Sequence, residues 1–138
     1  MKPKYLYLDF DGVLHPNFVE SGRAFCHMPL LEEVLNGTDV RVVVSSSWRF
    51  HETQAYITGL FPLSIRGLLC GFTGQAHVGR WARWHEIGQH VSSHGVSDWR
   101  ALDDAAFEFP PDCPNLIRCD GRLGLQATEL RALRDWID

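Results

Sequence analysis

Residues 5–13 read YLYLDFDGV, a short apolar and aromatic run that is broken by two aspartates. The run from Tyr5 to Leu8 is typical of a buried strand, and Asp9 and Asp11 come directly after it. Two carboxylates at the end of a buried strand are costly unless a cation or protons compensate them. This stretch therefore predicts both a strand and a polar site at its carboxyl end.

On the C-terminal side of this stretch, apolar runs of strand type alternate with segments of helical periodicity. Such alternation predicts an α/β fold, a three-layer Rossmann-like arrangement in which helices cover both faces of a parallel sheet of about five strands. The length and the apolar content of 45% suit one domain over residues 1–138. The predicted strands are 5–8, 40–44, 68–70, 99–102 and 116–119, and the predicted helices are 29–37, 50–58, 79–91 and 127–137.

Charge and composition narrow the function classes. Lys and Arg number 13 against 17 for Asp and Glu, so the net charge of −4 argues against binding nucleic acid by bulk electrostatics, although it leaves room for a local basic patch. Because no apolar run is long enough to cross a bilayer and no signal peptide is recognisable, we expect a cytoplasmic protein without membrane contact. The four cysteines form no Cys-x-x-Cys pair, so neither a zinc site nor a disulfide framework is indicated.

Polar side chains follow three of the predicted strands. In an open parallel sheet, ligands bind outside the carboxyl ends of the strands, so we expect these side chains to converge on one crevice. Carboxylates without a histidine cluster match Mg²⁺, a hard cation that binds oxygen ligands and substrate phosphate. The side chains are Asp9 with Asp11, Ser45 to Ser47, and Asp103 with Asp104.

The first pair of aspartates suits phosphoryl transfer. An aspartate is ordinarily ionised at neutral pH without help from a base, so we expect that Asp9 can attack phosphorus directly once a metal has screened the repulsion between anions. Asp11 is spaced to protonate the leaving oxygen and later to deprotonate the hydrolytic water. Gly12 allows a sharp turn that can bring its N–H close to a phosphate oxygen.

These residues carry a resemblance to a known family. The run Asp9-x-Asp11-Gly12-Val13 is similar to the first motif of the haloacid dehalogenase (HAD) superfamily, in which the first Asp is the nucleophile and the second is the acid and base. The resemblance implies that Ser45 corresponds to the hydroxyl of the second motif, which binds the transferring phosphoryl group.

The third and fourth motifs follow in the expected order. Arg83, or alternatively Arg80, lies where the superfamily usually has a Lys, and a guanidinium also neutralises phosphate, with a different geometry. The pair Asp103-Asp104 resembles the acidic fourth motif. The resemblance implies a magnesium site formed by Asp9, the Asp11 backbone carbonyl and Asp103 or Asp104.

A narrower resemblance links the chain to HAD domains associated with bacterial RNA repair proteins. It is carried by DFDGVLHP over residues 9–16 and by SSSWR over residues 45–49. No separate cap domain fits between the motifs, so the open site would admit a phosphate on a nucleic acid end, on a phosphoprotein or on a small metabolite. The residues expected to contact substrate beside the motif residues are His15, Ser46, Trp48 and Arg49.

Other interpretations of the same residues stay open at this point. Asp11-Gly12 could be a simple turn, the serines could cap the next helix, and Arg83 could be a solvated residue covering an indole ring. Two other classes of protein share parts of the pattern. They are a response-regulator-like signalling module, whose phosphorylated Asp lies in mid-chain instead, and a degenerate phosphate-binding module, against which the intact Asp9 and Asp11 argue.

Overall fold

The computed structural model describes residues 2–138, and over these residues it contains one five-stranded sheet. All neighbouring strands are parallel, with the first strand in the centre, the second and third on one side of it and the fourth and fifth on the other. The strands are β1 (Lys4–Leu8), β2 (Arg41–Val44), β3 (Leu69–Phe72), β4 (Asp98–Asp103) and β5 (Leu116–Arg118). The α-helices are α1 (Met28–Leu35), α2 (Gln54–Gly59), α3 (Leu63–Arg66), α4 (Ala82–His94) and α5 (Ala127–Ile137).

Helices cover both faces of the sheet. Successive side chains of β1 point to opposite sides, and each set is buried against a different group of helices. Leu6 and Leu8 are buried in the core that also contains α1 and α5. Tyr5 and Tyr7 are buried on the other face against Ile87 of α4. Strands without exposed faces explain the near-continuous apolar runs of the sequence. The predicted three-layer α/β fold is confirmed.

Two predicted helices begin later than their periodicity indicated. Residues 50–58 were expected to form one helix, but the chain first makes a 3-10 turn over Ser47–Phe50 and α2 begins after Thr53, whose hydroxyl accepts a hydrogen bond from the N–H of Tyr56. The helix expected over 79–91 begins at Ala82, because Trp81 has a left-handed backbone with φ 56°. The short α3 was not predicted.

The connections at the carboxyl edge of the sheet are loops and short helices. A loop over residues 9–27 joins β1 to α1, and the short helices α2 and α3 join β2 to β3. Over residues 2–138 the structure contains no separate cap domain, as predicted, and no helix long and apolar enough to span a membrane. No added domain therefore lies over the carboxyl ends of β1, β2 and β4, although the residues that follow these strands are buried: Asp9 is 5% exposed, and Ser45 and Asp103 are 0% exposed.

Candidate active site

Strand register brings three polar residues into one row. Leu8, the last residue of β1, pairs with Val44 on one side and with Leu102 on the other. The residues that follow these three are Asp9, Ser45 and Asp103. Backbone hydrogen bonds from Asp9 N to the Leu102 carbonyl (3.1 Å) and from Ser45 N to the Leu8 carbonyl (2.9 Å) continue the ladder into this row. Three segments that lie far apart in the chain thus meet at the carboxyl edge of the sheet.

Three carboxylates form a tight cluster in and beside this row. Asp9, Asp103 and Asp104 each offer an oxygen, and these oxygens lie within 4.8 Å of one another. Burial raises the pKa of Asp9 well above its ordinary value, and the neighbouring charge of Asp103 raises it further, against an opposing effect of Arg83. Burial also raises the pKa of Asp103. Clustered oxygen ligands with excess negative charge fit Mg²⁺.

Arg83, in the first turn of α4, extends into this cluster. Its Nη1 lies 2.5 Å from Asp103 Oδ2 and 3.4 Å from Asp9 Oδ1, and its Nη2 lies 3.5 Å from Glu108 Oε2. Burial lowers the pKa of Arg83, but these three carboxylates outweigh burial and raise it. One guanidinium cannot neutralise three carboxylates and Asp104 as well, so the cluster retains negative charge that a cation could compensate.

Arg80, the alternative candidate for this position, does not enter the cluster. It precedes α4, is exposed, and holds its guanidinium 5.5 Å from the ring centre of Trp81. The left-handed turn at Trp81 separates it from the first helical turn that carries Arg83. Of the two arginines that sequence left open, the geometry favours Arg83 as the phosphate-binding residue and argues against Arg80.

Ser45 and Ser46 have different surroundings although they are adjacent. The Ser45 hydroxyl is completely buried and has no hydrogen-bond partner among residues 2–138. A buried polar atom without a partner costs free energy and is unusual in folded proteins, so it points to a ligand. Ser46 instead accepts a hydrogen bond from the N–H of Trp48 (3.2 Å) and caps the 3-10 turn. The cap interpretation therefore holds for Ser46, whereas the Ser45 hydroxyl is the one that could donate a hydrogen bond to a ligand.

Arg49 is buried and bonded to the backbone of the serine loop. Its Nη1 donates to the carbonyl oxygens of Ser45 (3.0 Å) and Ser46 (2.9 Å), and its Nε donates to that of Gly74 (3.1 Å). Its Nη2 donates to Glu86 Oε1 at 2.7 Å, and the side chain is 4% exposed. The predicted substrate contact does not fit this placement, because the guanidinium is used to support the loop that carries Ser45.

Asp11 is held by the two aromatic residues that were expected to contact substrate. His15 Nε2 lies 2.7 Å from Asp11 Oδ1, and Trp48 Nε1 donates to Asp11 Oδ2 at 3.1 Å. His15 is 2% exposed and therefore cannot reach far into the crevice. Both side chains therefore contact Asp11, the residue expected to act as general acid and base. This arrangement differs from the prediction that His15 and Trp48 contact the substrate.

Two glycines make room for Asp104. Gly12 has a positive φ of 79°, and its N–H donates to the His15 carbonyl (2.9 Å), so the predicted contact of this N–H with phosphate is not available. A Cβ at Gly12 or at Gly121 would overlap the Asp104 carboxylate. Asn17 Nδ2 donates to Asp104 Oδ2 at 3.0 Å and fixes its orientation.

We expect Gly121→Ala to weaken metal binding. Its backbone has no positive φ, so the added methyl acts only by displacing the ends of the Asp104 and Asn17 side chains. The Mg²⁺ concentration for half-maximal activity should rise about 10-fold or more, as expected when the support of a metal ligand is disturbed. Gly88→Ala, on an open face of α4, is the matched control and should change nothing in the magnesium titration. An unchanged titration for Gly121→Ala would place Asp104 outside the metal site.

Sequence reasoning missed several residues that shape the site. These residues lie on four different segments, and none belongs to a sequence motif that would have singled it out. They are Asn17, Glu86, Glu108 and Gly121. Of these residues, only Glu86 had a signal in the sequence. It lies three residues after Arg83 on the same helix, a spacing at which the two side chains could form an ion pair. Even so, its observed partner is Arg49, and only the tertiary structure reveals that pair.

The parallel sheet, the aspartates after its central strand and the acidic cluster beside them together define a capless HAD-type domain. A comparison with family models agrees, since residues 5–130 match the family described as HAD domain in Swiss Army Knife RNA repair proteins. The chain belongs to this family. The comparisons with curated proteins and with solved structures found no match to this chain. The family implies a phosphohydrolase-type activity, and HAD domains typically use Mg²⁺.

Proposed function

We propose that the protein is a magnesium-dependent phosphatase that hydrolyses phosphate monoesters through an aspartyl-phosphate on Asp9. The observation that carries the proposal is the row of Asp9, Ser45 and Asp103, in which a carboxylate lies beside an unpartnered buried hydroxyl. Arg83 supports it with a guanidinium nitrogen 3.4 Å from Asp9. A carboxylate, a hydroxyl donor and a cation at one edge can hold and attack a phosphoryl group.

The proposed reaction has two displacements at phosphorus. In the first, an oxygen of Asp9 bonds to phosphorus, the bond to the leaving oxygen breaks, and Asp11 gives a proton to that oxygen. Ser45 and Arg83 hold the phosphoryl oxygens. In the second, Asp11 takes a proton from a water that attacks phosphorus, the bond to Asp9 breaks, and inorganic phosphate leaves.

The acidic residues would hold the metal ion in this scheme. Asp9, the Asp11 backbone carbonyl, and Asp103 or Asp104 provide the oxygen ligands that Mg²⁺ prefers. Bound there, the ion supplies positive charge that screens the repulsion between carboxylate and phosphate. The proposal is supported by the donor chemistry and by the excess of carboxylates over cations in the cluster.

We further propose that the physiological phosphate is carried on a nucleic acid end. The lack of a cap domain over residues 2–138 supports this substrate class, because no added domain would obstruct a phosphate attached to a large molecule. Membership of a family described by RNA repair also supports a nucleic acid substrate. A phosphoprotein and a small metabolite are the competing substrate classes, and a direct comparison separates them.

A groove beside the acidic cluster favours the nucleic acid. Asn17, which bonds to Asp104, lies between two residues that line a cavity of about 430 Å³. The lining includes Phe18, which is 99% exposed, and the oppositely charged Arg23 and Glu20. It also includes Arg122, whose guanidinium is paired with Asp120 at 2.9 Å. Exposed aromatic rings stack on bases, and arginines pair with backbone phosphates, so the groove suits the nucleotide next to the reacting end.

The deciding experiment compares substrates at equal concentration. A 3′-phosphorylated oligonucleotide, a 5′-phosphorylated one, a phosphopeptide, a sugar phosphate and an aryl phosphate are incubated with the protein, and phosphate release is measured with Mg²⁺ or with EDTA. We expect release only with Mg²⁺ and the highest kcat/KM on an oligonucleotide. Preference for the peptide or the sugar phosphate would refute the substrate class, and failure on all substrates would refute the phosphatase.

A groove variant sharpens this comparison. Arg23→Ser removes one cation from the groove and should lower kcat/KM on the oligonucleotide several-fold more than on the aryl phosphate, because only the oligonucleotide extends beyond the reacting phosphate. Arg131→Ser, an exposed arginine of α5, is the matched control for the loss of one charge. An equal effect of both variants on the oligonucleotide would remove the groove from the proposal.

A further inference from the structure

The Asp11 carboxylate accepts a hydrogen bond at each of its two oxygens. His15 Nε2 lies 2.7 Å from Oδ1, and Trp48 Nε1 lies 3.1 Å from Oδ2. The Asp11 side chain is 48% exposed, whereas that of His15 is 3% exposed. The carboxylate is thus partly open to solvent on one side and held by hydrogen bonds from the protein on the other.

The direction of both hydrogen bonds is defined by the structure. The backbone N–H of Phe25 donates to His15 Nδ1 at 3.0 Å, so Nδ1 carries no proton and Nε2 is the nitrogen that donates to Asp11. The indole nitrogen of Trp48 can only donate. Neither residue is arranged to accept a proton from Asp11, so their shared contribution is to orient its carboxylate.

Aromatic packing restricts the movement of the two donors. Phe25 makes edge-to-face contacts with His15 and with Trp48, with ring centroids 5.0 and 5.1 Å apart. Phe10 packs against Phe25 and Trp48 at 5.3 and 5.8 Å. His15 belongs to the loop that carries Asp11, whereas Trp48 belongs to the turn after Ser45. The cluster therefore connects the acid and base to the phosphate-binding loop.

We propose that His15 and Trp48 are positioning residues that aim the Asp11 carboxylate at the leaving oxygen and then at the hydrolytic water. This inference rests on the proposed phosphatase function. Asp11 needs this aim twice, first to pass a proton to the departing oxygen and then to take one from water as the bond between phosphorus and Asp9 breaks. A displaced carboxylate would slow both transfers without removing Asp9.

The two steps depend differently on the leaving group. A good leaving group such as p-nitrophenolate departs without a proton, so phosphorylation of Asp9 by p-nitrophenyl phosphate is largely independent of Asp11. Hydrolysis of the aspartyl-phosphate still needs Asp11 as a base. A misaimed Asp11 should therefore let Asp9 become phosphorylated and then hold the phosphoryl group, which a general loss of folding would not produce.

The test follows His15→Leu and Trp48→Phe with Mg²⁺ and p-nitrophenyl phosphate in rapid-mixing experiments. We expect a burst of about one equivalent of p-nitrophenol, a steady-state kcat lowered about 10²-fold, and a phosphoenzyme detectable by mass spectrometry. Alkyl phosphates, which need the acid, should also lose the first step. His15→Gln keeps an N–H near the position of Nε2 and should recover much of the rate.

Trp136→Phe is the matched control for Trp48→Phe. Trp136 Nε1 donates to Asp98 Oδ1 at 2.9 Å, so this variant loses the same kind of hydrogen bond on another part of the fold. It should turn over without a burst. If His15→Leu does not fold, Trp48→Phe and His15→Gln decide the question.

The outcomes separate the two proposals. If the wild-type protein turns over, two results for the variants would overturn the positioning role alone. One is an unchanged kcat, and the other is a loss of the burst that equals the loss of steady-state turnover. Absence of phosphate release and of a phosphoenzyme in the wild-type protein would overturn the phosphatase, and the positioning role with it.

Discussion

Asp9→Asn should abolish turnover and at the same time stabilise the metal-free protein. Loss of the proposed nucleophile would remove the covalent step, so kcat should fall by about 10⁴-fold or more. Stability should rise because the substitution removes a buried charge from a cluster of carboxylates that lie within 4.8 Å of one another. Phosphate release and thermal unfolding in EDTA measure the two effects. Undiminished activity would refute the assignment of Asp9 as nucleophile.

The stability gain should depend on pH with a defined sign. Burial, reinforced by Asp103, raises the pKa of Asp9 in the folded protein above its ordinary value of 3.8. The folded protein thus binds the proton more tightly than the unfolded chain, and this destabilising contribution grows as pH rises from about 4 through the raised pKa. The difference in unfolding free energy between Asp9→Asn and wild type should widen over that range. Asp135→Asn on α5 is the control, and a constant difference for Asp9→Asn would contradict the prediction.

Arg83→Met should have the second large effect, on stability and activity together. The guanidinium pairs with Asp103 at 2.5 Å and approaches Asp9 at 3.4 Å, and its removal leaves both carboxylates without their cation. Breaking such a buried pair costs about 3 to 5 kcal/mol. We expect this loss in urea unfolding with EDTA and a smaller loss when Mg²⁺ is present. We also expect a deep fall in kcat, because in the proposed scheme the phosphoryl group loses its cation as well.

Arg83→Lys is the informative companion to this variant. It restores the residue that the superfamily usually has, and an ammonium group can still pair with Asp103, although without the forked geometry. Most of the stability and a measurable part of the activity should return. Equal damage by Met and Lys would mean that the two nitrogens of the guanidinium, which contact different carboxylates, are both required.

The helix boundaries show why local patterns predict elements better than their ends. The apolar spacing after Gly79 continues through the helix that was expected there, and nothing in that spacing reveals the left-handed turn at Trp81. The same turn decides that Arg83 enters the first helical turn and that Arg80 stays outside. Periodicity reports which face of a helix is apolar, whereas the start of a helix depends on backbone dihedral angles and caps.

The pair Arg49 and Glu86 shows the corresponding limit for the site. Arg49 follows the serines directly, so the sequence suggests a substrate contact, but its partner lies 37 residues away on α4. Trp48 lies equally far in sequence from Asp11, the residue that it orients. Such roles depend on distances across the fold, and the residue types involved are equally compatible with substrate binding.

The amino-acid sequence by itself determined the parallel α/β fold and the segments whose ends carry acids and hydroxyls. It could do so because strand alternation, helical spacing and the Asp-x-Asp-Gly-Val run are local properties of the chain. Only the tertiary structure decided that Arg83 pairs with the acids, that the Ser45 hydroxyl lacks a partner, and that His15 and Trp48 hold Asp11. These outcomes depend on register and side-chain orientation, since hydrogen bonds and ion pairs form only over a few ångströms between segments that are distant in sequence.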